Sequence, residues 1–135
     1  MRLLRTFTIT ALLAASTTIF AETAKVKAEE ISAAEADKFL AFYNKFVDAI
    51  VQNKDNCPKM AGAITGVISS NQDQIRKAHE AKTSGKKLPK AYEEKMMARV
   101  KEMMPAMQKC GADKDVQAAI SKLDQKELEK APAKK

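Results

Sequence analysis

The sequence has no tryptophan, only 5% aromatic residues, four glycines, four prolines, two cysteines and a single histidine. Each shortage excludes something. So few Gly and Pro leave little material for the tight turns of a sheet protein, and they suit long helices joined by a few bends. With His79 alone there is no pair of histidines to share a metal, and no Ser-His or Cys-His dyad can be nominated. The two cysteines stand far apart and form no C-x-x-C, so neither thiol exchange nor covalent haem attachment is signalled. No Gly-rich phosphate loop occurs, and the carboxylates are scattered over polar stretches among lysines. We expect neither enzyme activity nor a cofactor.

Length adds a further bound. The 135 residues allow one domain, and the formal net charge is +7. Arg2 and Arg5 precede an apolar run from about Phe7 to Phe20, with small residues offering a cut after Ala21 or Ala24. That is the pattern of a bacterial-type secretory signal, over 1–21. A membrane-spanning helix needs about 20 strongly apolar residues, and this run is shorter and broken by Thr6, Thr8, Thr10, Ser16, Thr17 and Thr18. The expectation is a periplasmic or secreted protein with no further membrane span.

Export gives the cysteines their meaning. In an oxidising compartment an even pair reads as a disulfide, and two cysteines allow one intramolecular connectivity, Cys57–Cys110. The midpoint between them falls in the clearest loop of the chain, Thr83-Ser84-Gly85-Lys86-Lys87-Leu88-Pro89. Folding the chain there sets Cys57 opposite Cys110, Met60 opposite Met107, Ile64 opposite Met103, Val67 opposite Val100 and Ile75 opposite Tyr92. Those intervals of three and four residues trace an apolar helical stripe on both arms. The fold predicted is all-α: an antiparallel, up-down bundle of about four helices, with one disulfide clasping a central hairpin.

The remaining segments follow in order. Residues 22–31 are polar and aperiodic, a flexible lead-in. Ser32 followed by Glu35 is a capping box, and helix 1 runs from there to about Asn53. Its apolar positions Phe39, Leu40, Phe42, Tyr43, Phe46, Val47, Ile50 and Val51 form a face broad enough for two neighbours, which places it in the groove of the hairpin. All five phenylalanines lie in the signal or in this helix, so we assign those in the helix to the core. Pro58 opens helix 2, which continues to about Lys82. Gly62, Ala63, Gly66, Ser69 and Ser70 make a small-residue strip there, expected to receive a neighbouring helix of the same chain. Asn71, opposite Met96, interrupts the facing set: it either fixes register as a polar layer or marks a looser distal half. Helix 3 spans Pro89 to Cys110, kinked at Pro105 and ended by Gly111. Asp113 caps helix 4, which carries Val116, Ala119, Ile120 and Leu123 and frays near Lys130. The bundle domain is 32–130, and 131–135 reads as a disordered tail.

Two constellations carry candidate chemistry. Arg76, Lys77, Lys82, Lys86, Lys87 and Lys90 gather at the hairpin tip. Such a tip attracts an acidic protein segment or an anionic envelope component, with a peripheral contact to the membrane surface and salt-sensitive strength. Nucleic acid is not expected, since Tyr92 is the lone aromatic nearby for stacking bases. The second is sulfur: Met60, Met103 and Met107 converge on the cysteines, and soft ligands select Cu(I), although methionine at core spacing is also a flexible filler. A haem held between His79 and Met96 is disfavoured, because His79 faces Leu88 and Met96 lies eight residues further on, about 12 Å along a helix. The function expected is therefore exported, non-catalytic binding, chaperone-like or envelope-directed through the basic tip. The contending class is a copper or haem carrier on a small helical bundle.

Overall fold

Ser32 opens the first helix as its pattern predicts: Glu35 N–H donates to Ser32 Oγ at 3.3 Å while Ser32 N–H donates to Glu35 Oε2 at 3.2 Å. The computed structural model describes residues 28–124, so the expected signal segment, most of the expected lead-in, and the frayed end and tail expected from near Lys130 onward lie outside the described residues. Within them the chain is all-helical, with α1 Ala33–Val51, α2 Cys57–Ser70, α3 Gln72–Thr83, α4 Lys90–Cys110 and α5 Lys114–Ser121 in antiparallel packing. The caps are those the sequence marks. Asn56 accepts from Lys59 N–H at 2.9 Å ahead of Pro58, and Asp113 accepts from Asp115 and Val116 N–H at 2.9 and 3.1 Å. No described helix is long and apolar enough to cross a membrane.

Asn71 divides what reads as one helix into α2 and α3. Its backbone leaves the helical region (φ −126°, ψ 23°) and its side-chain amide donates to the Val67 carbonyl at 2.7 Å. A side chain that bonds its own preceding turn competes with the helical ladder, which is why Asn favours ends over interiors. The polar residue is therefore a break. Pro105, by contrast, is carried inside α4.

The disulfide forms between Cys57 and Cys110, with their α-carbons 5.2 Å apart. Beyond it, the predicted face-to-face register of the hairpin needs correction. α1 packs against both α2 and α4, whereas α2 and α4 come close only around the disulfide, and α3 and α4 scarcely approach. Helix 1 does occupy the groove, and by doing so it holds the two arms apart. α5 lies against α2, burying Val116 and Ala119. The core centres on Phe46, Ile50, Met60, Ile64, Ile68 and Val116, at the end of the bundle where three helices and the disulfide meet. Side-chain bonds tie α4 to α1 and its following turn: Arg99 to Asp48, Tyr92 Oη to Asp37 at 2.7 Å, and Lys109 Nζ to Asp55 at 2.6 Å.

The small-residue strip of α2 also needs correction. Gly62 and Gly66 are exposed and a Cβ built on either meets nothing within 4 Å, so none of the described helices lies over them. The apolar side of α2 is the opposite one, through Ile64 and Ile68. A glycine in an exposed helix interior leaves the unfolded chain more freedom than alanine does. Gly62→Ala and Gly66→Ala are each expected to raise stability by about 0.5–1 kcal/mol, read as a higher midpoint in chemical denaturation. A loss of stability in either variant would mean that the face is covered.

Candidate functional site

The distal half of the bundle is short of apolar material. α3 buries a single residue, Ile75, among lysines, glutamine and glutamate. The first half of α4 buries none: its buried residues, Ala106 and Cys110, lie at the disulfide end. Two arms so poor in apolar surface have little to close on, and α1 keeps them apart. The result is an open cleft of about 720 Å³ walled by α1, α3, the tip loop and α4. That volume lies inside the range of about 300–1,000 Å³ usual for small-molecule sites.

Its floor comes from α1: Phe39, Phe42, Tyr43 and Phe46, with Ile75 opposite and Met96, Leu88, Ile31 and Leu123 around them. The three rings follow one another at centroid distances of 6.2 and 6.3 Å. Phe42 and Phe46 belong to the core, as assigned, and the same rings also line the cleft. Burial raises the pKa of the Tyr43 hydroxyl, with Arg99 pulling the other way, so this phenol stays neutral across the ordinary pH range.

The rim is cationic at one end. Lys77, Lys82, Lys86 and Lys87 line the cleft, with Glu35, Glu80 and His79 among them. The tip loop positions the lysines. Gly85 takes φ +74°, a conformation that favours glycine, and Lys86 N–H then reaches back to the Ala81 carbonyl at 2.9 Å. The turned chain runs beside the last residues of the lead-in. Lys87 N–H donates to the Glu29 carbonyl at 2.9 Å and Ile31 N–H to the Lys87 carbonyl at 3.0 Å, while Lys86 pairs with Glu29 at 3.6 Å. Residues 29–31 are thus strapped to the tip, and the strap seats Ile31 and Leu88 at the cleft's edge.

The structure therefore sorts the predicted tip cations. Lys77, Lys82, Lys86 and Lys87 share the cleft, whereas Arg76 pairs with Asp73 beside the α2–α3 break and Lys90 pairs with Glu94 on α4. Methionines are divided too. Met60 is fully buried, Met103 and Met107 pack partly buried against the core near the disulfide, Met96 lines the cleft, and Met97 and Met104 are 61% and 52% exposed. The disulfide leaves neither cysteine as a thiolate. The predicted pairing of His79 with Leu88 gives way to another: its Nε2 is 2.9 Å from the Leu123 carbonyl and donates there, tying α3 to the segment after α5. Among the described residues no group of three or more His, Cys, Asp or Glu is placed to hold a metal ion.

Tyr43, Met96, Ile31, Leu88 and Leu123 are site residues that sequence reasoning did not nominate. Periodicity assigns Tyr43, Met96 and Leu123 to apolar faces without saying that one of those faces is left open, while Ile31 falls in the aperiodic lead-in and Leu88 in the tip loop.

Two exposed carboxylates next to the helix ends make a pH prediction. Hydrogen bonds from Ser32 hold the Glu35 pKa below the usual carboxylate range, with Lys86 and Lys77 adding to the effect, and Lys109 does the same for Asp55. A carboxyl whose folded pKa is depressed adds stability that is complete above its unfolded value and is lost as pH falls through the folded one. Stability should therefore decline below about pH 4, the ordinary carboxylate range. Glu35→Gln with Asp55→Asn should flatten that acid limb in denaturation midpoints measured across pH. An unchanged limb would show that other groups govern it.

Compared with protein-family models, curated proteins and solved structures, the chain finds no match.

Proposed function

We propose that this is an exported, non-catalytic binding protein whose site is the cleft beside the basic tip. One observation supports the reading above others: a cleft floored by Phe39, Phe42 and Phe46 opens beside four lysines, with Phe39 half-buried and the other two rings almost wholly covered. The apolar surface that the cleft does leave open, around Phe39 and the rim, forgoes about 25 cal/mol for each Å², and a guest recovers that energy. The only histidine donates to a main-chain carbonyl, where it ties α3 to the segment after α5. The test is saturable uptake of a neutral apolar dye, N-phenyl-1-naphthylamine, followed by its fluorescence. Ala78→Trp, which fills the cleft from α3, should abolish uptake while leaving the helical circular dichroism intact. Non-saturable uptake, or full uptake by the filled variant, would contradict the proposal.

A second reading draws on a placement that spacing alone argues against: His79 and Met96 line the same cleft. A His/Met pair is a known axial set for haem, and lysines at the rim suit propionates. His79 would have to release the Leu123 carbonyl. Titration with haemin decides this: a sharp Soret band at one equivalent, lost in His79→Ala, supports a haem carrier, and its absence removes that reading.

A further inference from the structure

Charge and apolar surface are not mixed evenly in the cleft. α1 runs antiparallel to α2 and its continuation α3, so the N-terminal residues of α1 lie toward the tip and Phe46, about three turns after Glu35, lies away from it. Lys86, paired with Glu29 just ahead of α1, stands at that end, and Glu35 lines the same cleft. Lys82 and Lys87 join them through the last turn of α3 and the strap. Down from the tip the cleft is walled by Ile75, about two turns before Lys82 on α3, and then by Phe42 and Phe46 on α1, all members of the core. Along its length the cleft therefore passes from cationic and solvated to apolar and closed.

We infer that the cleft takes a single-chain amphiphile with an anionic head, the head at Lys82 and Lys87 and the acyl chain running toward Phe46 and Ile75. This rests on the cleft being the binding site and adds the class and orientation of the guest. A peptide segment fits the site less well. The lining offers side chains of helices whose main-chain groups are committed to their own ladders, so an extended peptide finds few backbone partners. An alkyl chain needs none. The anionic head is favoured by the excess of lysine over glutamate at the rim. Glu35 opposes that preference, because it faces the same lysines.

The experiment is displacement of N-phenyl-1-naphthylamine from the purified, disulfide-bonded protein, with all amphiphiles kept below micelle formation. Octanoate, decanoate and dodecanoate should displace it with affinity rising roughly tenfold for each two methylenes. Dodecyltrimethylammonium should bind at least about tenfold more weakly than dodecanoate, and the gap should narrow in high salt. Lys82→Gln with Lys87→Gln should weaken dodecanoate severalfold and leave the neutral dye unchanged. Glu35→Gln, which keeps the capping hydrogen bonds, should tighten dodecanoate. Comparing free dodecanoate with lysophosphatidylglycerol and lysophosphatidylcholine separates a free acid from an anionic membrane lipid as the source. If dye binds but cationic and anionic chains compete equally, the head-group assignment is overturned while the cleft stands. Displacement by an apolar peptide and not by any alkyl chain would overturn it in favour of a protein client. Failure of the dye itself to bind would overturn the cleft.

Discussion

Opening the Cys57–Cys110 bridge is expected to cost roughly 4 kcal/mol, the chain-entropy figure for a loop of this length. The two cysteines are 53 residues apart, and they join the one place where α2 and α4 meet. Without the bond, α4 is held to α1 and its following turn by packing and by the polar contacts of Arg99, Tyr92 and Lys109; Arg99 is mostly covered, the other two contacts are exposed, and exposed pairs add little. Net stability of a domain this size is typically about 5–15 kcal/mol, so a large share rides on one covalent link. Cys57→Ser with Cys110→Ala is the variant of choice, because Cys110 is buried and a serine there would strand a hydroxyl. Chemical denaturation should show the loss, and the thermal midpoint should fall by some 15–30 °C. A change under about 1 kcal/mol would mean that packing by α1 alone sets the relation of the arms.

The second large effect separates the two ends of the bundle. Ile64 is fully buried, and Ile75 is buried almost as completely at 3% exposure. Their surroundings differ: Ile64 lies in the core, away from the cleft, whereas Ile75 forms part of the cleft wall. Cutting a side chain inside a closed core loses transfer energy and leaves a cavity. Beside an existing cleft the cavity term falls away. Ile64→Ala should thus cost about 4 kcal/mol and Ile75→Ala about 2 kcal/mol, within the span known for such truncations. Equal costs, measured by urea denaturation, would show the cleft closed over Ile75 in solution.

Much of this fold is legible in the chain because local chemistry writes it. Ser32 with Glu35, Asn56 before Pro58, Pro89 and Asp113 each satisfy or forgo particular backbone groups, and each stands where a helix begins. The disulfide follows from having two cysteines and one way to join them. Asn71 is visible as an irregularity, yet whether it is a layer or a break depends on what its amide bonds, and that is Val67.

Pairing between helices is the part that periodicity leaves open. A stripe at intervals of three and four says which side of a helix is apolar, never which neighbour covers it. Matched stripes on the two arms imply a zipped hairpin, and the broad face of α1 intervenes instead. The strip at Gly62 and Gly66 illustrates the same gap from the other side, since small residues permit close approach without requiring it. The cleft follows from a deficit: α3 has too little apolar surface to close on α4. That deficit is present in Gln72–Thr83 as read, and it becomes a site only once α1 is seen to hold the arms apart. Arg76 and Lys90 show the limit of a charge cluster drawn from sequence, since both sit near the tip in number and outside the cleft in space.

Backbone amide shifts recorded while the protein is titrated with N-phenyl-1-naphthylamine test the open cleft most directly. Saturable shifts confined to Phe39–Phe46, Ile75–Lys82, Leu88 and Met96, with Thr65 and Gly66 on α2 silent, are the predicted result. Shifts centred on the exposed Met97 and Met104 face, or none that saturate, would contradict the account.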